Sequence, residues 1–276
     1  MRILLASAPV INREIDFNLQ TLLEYMKAYR GKAELIVFGE SILQGFECLC
    51  WDYEKDRSVG ISLEDAPVRR IRAAAKEYRL AVSFGMIERR GDHLYSVQLT
   101  IGADGELVNL FHRVSVGWKD VSQTDEHYRE GERFEKFTCN GKSFAVGLCG
   151  DLWTEGRPEE MKALQADVVL WPVWCDYSPD EWNDTVKYEY AQQAAHCGHD
   201  VLLVNPFCTD PTATDCATGA CVHFRNGSIV RELPSGRPGT LLKGSCSSSA
   251  EFLSHPVQQT RPPVNFRYPG DSVSDS

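Results

Sequence analysis

Three residues in this chain carry side chains suited to acyl chemistry, and each follows an apolar run. Ala145-Val146-Gly147-Leu148-Cys149-Gly150-Asp151-Leu152-Trp153 is apolar up to a cysteine and turns at once through glycine. Such a run bounded by a turn signal reads as a buried strand, whose last residue projects from a rigid scaffold into a crevice. Cys149 is therefore the candidate nucleophile. It would face the backbone N–H of Gly150 and of the residues entering the next helix, donors for a thiolate and for a developing oxyanion. The competing reading is an inert thiol, because free cysteine is among the most buried residue types. Val37-Phe38-Gly39-Glu40 places a carboxylate at the end of a second run, and Leu110-Phe111-His112-Arg113 a cation near the end of a third. Amide hydrolysis needs such a set: a nucleophile with a base, a cation or N–H donors for the oxyanion, and an acid for the leaving amine.

The elements that must position these residues alternate along the chain. Ile3 to Ala8 reads as a strand, Phe17 to Tyr29 as an amphipathic helix with Leu19, Leu22, Leu23 and Met26 on one side, and Leu35 to Phe38 as a second strand. Pro67 to Tyr78 reads as a helix and Leu80 to Ile87 as a strand. Leu94 to Ile101 and Leu107 to Val114 return through the turns Arg89–Asp92 and Ala103–Gly105. Strands are expected at Phe144 to Cys149, Asp167 to Pro172 and Val201 to Asn205, separated by helices at Pro158 to Gln165 and Trp182 to Cys197. Asn226-Gly227 between Cys221–Arg225 and Ser228–Leu233 is the strongest hairpin signal. Alternation with interspersed hairpins predicts a layered α/β domain, helices outside and sheet inside.

Composition narrows the partners. The 276 residues suffice for one large domain with a real core, and 29 Lys plus Arg against 39 Asp plus Glu give a net charge of −10. That balance argues against nucleic acid or an anionic membrane and favours a small molecule. The opening apolar run is too short for an export-signal core and reads as a strand. The ten cysteines are spread along the chain with no C-x-x-C pair, which reads as reduced thiols in a cytoplasmic protein. Cys48-Leu49-Cys50 is too tight for a zinc pair, so no metal is expected.

In the order Glu40, Arg113, Cys149, the chain resembles the nitrilase superfamily of carbon–nitrogen hydrolases, whose set is Glu, Lys, Cys. The resemblance runs over residues 1–246, leaving 247–276 as an irregular, polar, proline-containing tail. Ile36–Phe46 is similar to the family's glutamate segment, with Gly39 where proline is usual. Tyr95-Ser96 stands for Tyr-Asn, Glu130-Gly131 for Pro-Gly and Gly219-Ala220-Cys221 for the late Gly-x-Ser. Cys149–Trp153 is similar to the cysteine segment of the glutaminase portion of NAD synthetases. Arg113 replaces the family lysine, Ser115 the histidine shortly after it, and His196-Cys197 the Glu-Asn of the late helix.

The resemblance implies a four-layer-forming α-β-β-α sandwich of the nitrilase type, usually a homodimer, working without a cofactor on a small amide or carbamoyl compound. It implies that Glu40 takes the Cys149 proton, protonates the leaving group and then activates water, which a carboxylate does only where burial shields it. Gly150 N–H and Arg113 would hold the oxyanion, with Lys119 as the alternative cation. After the next strand, Trp174 and Tyr177 are candidates for an apolar wall and Asp176 for selecting an amine-bearing substrate, though Trp171 and Trp174 read equally well as core aromatics. Two other functions stand beside amide hydrolysis: a binding protein that kept the fold and lost turnover with the lysine, and a nitrilase acting on C≡N. The latter branch usually follows its cysteine with Trp-Glu, where this chain has Gly-Asp.

Overall fold

The computed structural model describes residues 1–244, and the tail assigned to 247–276 lies outside the described residues. The chain opens with β1 (Ile3–Ser7), β2 (Pro9–Val10), α1 (Ile15–Tyr29), β3 (Leu35–Phe38) and α2 (Ala66–Tyr78). A meander follows: β4 (Ala81–Arg90), β5 (His93–Ile101) and β6 (Leu107–His112). Then come β7 (Phe137–Cys139), β8 (Lys142–Val146), α3 (Arg157–Ala163), β9 (Val168–Pro172), α4 (Lys187–Cys197), β10 (Asp200–Cys208), β11 (Thr218–Arg225), β12 (Ser228–Leu233) and β13 (Gly239–Lys243).

Two sheets result, ordered β13-β1-β3-β4-β5-β6 and β12-β11-β10-β9-β8-β7, with β2 added beside β10. Each has three parallel strands at its centre, β1-β3-β4 and β8-β9-β10, flanked by antiparallel partners. Of these, β1, β3 and β9 are buried from end to end because both faces are covered, which is why they read as continuous apolar runs. Period-two alternation sorts their side chains. Ile3, Leu5, Leu35 and Val37 belong to the core shared with the second sheet, whereas Leu4, Ala6, Ile36 and Phe38 pack with Leu19, Leu22 and Met26 of α1 and Val68, Ile71 and Ala75 of α2. The architecture is an α/β sandwich, as expected. Fully burying one such Leu, Ile or Phe contributes about 1.5–3 kcal/mol, so the central strands are stiff mounts for whatever leaves their ends.

Several boundaries differ from the sequence expectation. The strand toward the cysteine stops at Val146, and Cys149 opens the short 3-10 turn Cys149–Trp153 rather than ending a strand. The expected helix over 182–197 begins as a widened π-turn at Trp182–Val186 before α4 takes over. β6 stops at His112, one residue before Arg113. β7 and β13 lack a clear period because both are short and edge-paired: β7 meets only β8, and β13 only β1.

Candidate active site

All three expected residues leave the ends of central or meander strands, and Glu40 and Cys149 do so through a left-handed backbone. Glu40 follows β3 by two residues and is fully buried, and the next residue, Ser41, has φ 51°. Cys149 itself has φ 43°, a left-handed conformation that costs a non-glycine residue about 1–2 kcal/mol and lifts its side chain out of the strand direction. Its carbonyl accepts from Trp171 Nε1 at 2.9 Å and its Sγ donates to the Trp174 carbonyl at 3.6 Å, so β9 and the segment just after it hold the turn from behind. Arg113 is tied at both backbone groups, its N–H to Ser96 O at 2.9 Å and its carbonyl to Gly131 N at 2.8 Å.

Arg113 is the hub. Only 3% exposed, it donates from Nη1 to Glu40 Oε1 at 2.7 Å and from Nε to Ser115 Oγ at 2.9 Å. Ser96 Oγ adds a longer bond to the same Glu40 oxygen at 3.4 Å. Burial works to lower the Arg113 pKa, but the neighbouring Glu40, Cys149 and Asp151 charges outweigh it, and the guanidinium is held above its ordinary value. The other carboxylate oxygen, Glu40 Oε2, is buried and has no hydrogen-bond partner among the described residues. An acceptor left open at that depth costs about 1–3 kcal/mol and is free to bind a proton, a substrate N–H or a water.

The guanidinium fits because of two glycines. A Cβ on Gly150 or on Gly117 would lie 3.0 Å from Arg113 Nη2. The departure at position 113 and the glycine after the cysteine are thus one packing solution: the planar head occupies room that a side chain at 150 would take. No hydrogen bond engages Nη2 among the described residues, which leaves it a donor beside the Gly150 backbone.

Asp151 was quoted in the cysteine segment without a role, and the structure gives it one. Its Oδ1 accepts from Val114 N at 3.1 Å and Ser115 N at 2.8 Å, its Oδ2 from Leu148 N at 2.9 Å, and Arg113 Nε lies 4.0 Å away. One carboxylate therefore locks the nucleophile turn to the segment bearing the cation. Burial pushes it up to about 6, against the pull of Arg113 and these bonds.

The remaining candidates lie apart from this hub. Lys119 pairs with Glu130 at 2.8 Å and donates to Tyr128 O, so Arg113 is the cation in contact with Glu40. The Trp174 indole stacks on Phe46 at 5.5 Å and donates from Nε1 to Asp215 at 2.9 Å, so the structure brings its carbonyl, rather than its ring, to Cys149. Asp176 and Tyr177 are exposed just beyond it. Burial and then the Asp176 charge push Asp215 up to about 6, which places an acid on this rim that sequence reasoning missed. Among the described residues no three His, Cys, Asp or Glu come together as a metal site requires, and no helix is long and apolar enough to cross a membrane.

The sequence profile of one family, Carbon-nitrogen hydrolase, matches residues 5–245. The chain belongs to that family. Among curated relatives it is 29% identical over 184 residues to a cyanide hydratase from Microdochium sorghi, covering 60% of this chain and 48% of that protein. It is 33% identical over 88 residues to a bromoxynil-specific nitrilase from Klebsiella pneumoniae subsp. ozaenae, covering 29% and 25%. The chain thus matches half or less of these relatives' length. Among solved structures, an amidase from Nesterenkonia sp. AN1 superposes with a TM-score of 0.69 at 17% identity, over 89% of this chain and 93% of that one. A glutamine-dependent NAD+ synthetase from Acinetobacter baumannii does so with 0.67 at 21%, over 87% and 44%. At these identities the structural likeness establishes the fold.

Proposed function

We propose that this carbon–nitrogen hydrolase cleaves a small non-peptide amide or carbamoyl compound through a thioester on Cys149. The observation that carries this reading is Glu40: one oxygen is anchored by Arg113, and the other is buried, open and unpartnered. Glu40 takes the thiol proton as Cys149 Sγ attacks the carbonyl carbon. The oxyanion rests on the Gly150 N–H and Arg113 Nη2, the first N–H groups of a helical turn having no acceptor within it. Glu40 then protonates the departing nitrogen, the C–N bond breaks, and ammonia or an amine leaves the acyl thioester behind. Water, deprotonated by Glu40, attacks the thioester, and the acid departs as Cys149 regains its proton. Arginine stabilises charge throughout but shuttles no proton, so all proton traffic falls to Glu40. The exposed Asp176 and Tyr177 form the rim through which substrate enters, and the reading includes a cytoplasmic, paired protein that uses no cofactor.

Support by likeness comes from a mutant of the Nesterenkonia amidase, known with the acetamide moiety of fluoroacetamide covalently added at its active-site cysteine. The curated relatives favour a second reading, hydrolysis of C≡N, since they are cyanide hydratases and nitrilases. The test is ammonia release from matched amides, carbamoyl compounds and nitriles, with intact mass to catch the Cys149 adduct. Release from amides with an adduct absent in Cys149→Ser supports the proposal; release from nitriles alone favours the second reading. A silent wild type beside an active Arg113→Lys would make the protein a binding module silenced by its arginine.

A further inference from the structure

Asn205, near the end of β10, has no part in the mechanism above, yet it is only 1% exposed and its side-chain amide is fully engaged. Its Oδ1 accepts from Cys175 N at 3.0 Å, and its Nδ2 donates to Cys175 O at 2.9 Å and to Gly219 O at 3.2 Å. The next residue explains why a side chain does this. β9 and β10 pair in parallel as far as Pro172 and Val204, and Val173 N still donates to Val204 O at 3.0 Å. The following rung of the ladder would come from the N–H of residue 206, which is proline and has none. The Asn205 amide, with a C=O and N–H of its own, replaces the missing peptide and carries the pairing on to Cys175.

The peptide that Asn205 grips is the one that meets the nucleophile. Cys175 N–H and the Trp174 carbonyl belong to a single planar trans unit, so they point to opposite sides of it. Asn205 holds the N–H side, and Cys149 Sγ donates to the carbonyl side at 3.6 Å. The same stretch of β10 also reaches the base. A Cβ on Gly39 would lie 2.4 Å from Pro206 Cδ, so the proline ring packs on the backbone immediately before Glu40. The Nδ2 bond to Gly219 adds the start of β11, where Gly219 has φ 85° and Ala220 φ 143°, a conformation that a residue with a side chain keeps only where its surroundings hold it. We propose that Asn205 is a positioning residue: by holding the N–H of the Trp174–Cys175 peptide, it aims that peptide's carbonyl at the Cys149 thiol and fixes where the sulfur stands relative to Glu40. No covalent bond changes in this role, and Asn205 touches neither substrate nor the reacting atoms.

This role rests on the reaction proposed at Cys149, and alkylation tests the two separately. The full chain and its variants are treated with iodoacetamide, and the Cys149 peptide is followed by mass against the peptide of Cys50, an exposed thiol. Asn205→Ala frees the peptide and should slow Cys149 relative to Cys50 roughly tenfold, because a small misplacement of a reacting atom costs up to about a hundredfold. Asn205→Asp keeps an oxygen for Cys175 N–H and should stay within about threefold of wild type. It should nonetheless unfold at a lower temperature than wild type, since the Cys175 and Gly219 carbonyls lose their N–H donors. Labelling that is restored in Asn205→Asp while stability is not is the result that supports positioning. Labelling that tracks the unfolding temperature in both variants, or that is unchanged or faster in Asn205→Ala, would reduce Asn205 to a structural staple. Wild type supplies a measurement that needs no variant to fold: residue-resolved hydrogen exchange should show the Cys175 amide protected with Val173, and exchange as fast as at the exposed Asp176 overturns the clamp. Wild-type Cys149 that labels no faster than Cys50 would instead remove the nucleophile itself, and the proposed reaction with it.

Discussion

Two charge clusters in this protein, one half-buried and one fully buried, are built from similar parts and finished differently. At the start of β10, Asp200 accepts from His223 at 2.7 Å and Arg225 at 3.0 Å of β11 and from Lys243 of β13 at 3.2 Å. Burial works to raise that carboxyl, but these bonds outweigh it and hold it far below its ordinary range. Across the sandwich, Glu40 has one oxygen on Arg113 and the other on nothing, and Asp151 is pushed up to about 6. A carboxylate saturated with donors staples three strands together and has no capacity left for chemistry. One left short retains an acceptor and the strain of an unmet bond, which is where a reactive group is expected.

The comparison breaks first at Glu40. Glu40→Gln keeps the shape and the contact with Arg113 but removes the base, so turnover should fall by roughly two to four orders of magnitude while the fold persists. The equivalent Asp200→Asn should leave turnover within about twofold and cost about 2 kcal/mol of stability instead. Steady-state rates and urea midpoints on both variants separate the clusters; near-normal turnover in Glu40→Gln would place the base elsewhere.

A second, smaller effect probes the hub. Arg113→Ala removes an oxyanion donor, worth roughly a hundred- to thousandfold in rate, and strands Glu40 without its cation. Arg113→Lys should lose less. Because Gly150 leaves room for the guanidinium, Gly150→Ala should harm the arginine enzyme and be tolerated beside Arg113→Lys. Additive losses in that double-mutant cycle would mean that the two positions do not share space.

The third contrast is in pH. Asp200, held below its ordinary 3.8, lends stability that is present above that value and is lost as pH falls through its folded titration. Asp151, raised to about 6, has the opposite sign: the folded protein takes up its proton first, so its contribution is most favourable below 3.8 and declines as pH rises toward 6. Unfolding free energies between about pH 4 and pH 6 should therefore slope less steeply downward in Asp151→Asn than in wild type, whatever that variant costs overall. An unchanged slope would show that Asp151 stays ionised across the range.

Much of this was legible in the chain itself. Apolar runs such as Ile3–Ser7 and Leu35–Phe38 and the 3.6-residue spacing of α1 declare buried strands and an outer helix, because burial repeats with the geometry of the local backbone. Glu40, Arg113 and Cys149 were visible as polar residues at the ends of such runs, and their order carried the family. The partnerships were not legible. Arg113 reaches Glu40 across 73 positions, Asp151 reaches Val114 across 37, and Cys175 meets Tyr190 from a separate element. Hydrogen bonds between loops leave no periodic trace, so only the packed structure decided which donor each acceptor received. The same holds for the room at Gly150 that admits a guanidinium and for the Glu40 oxygen left with no partner: both depend on what neighbouring elements leave unfilled, a quantity that no stretch of sequence contains.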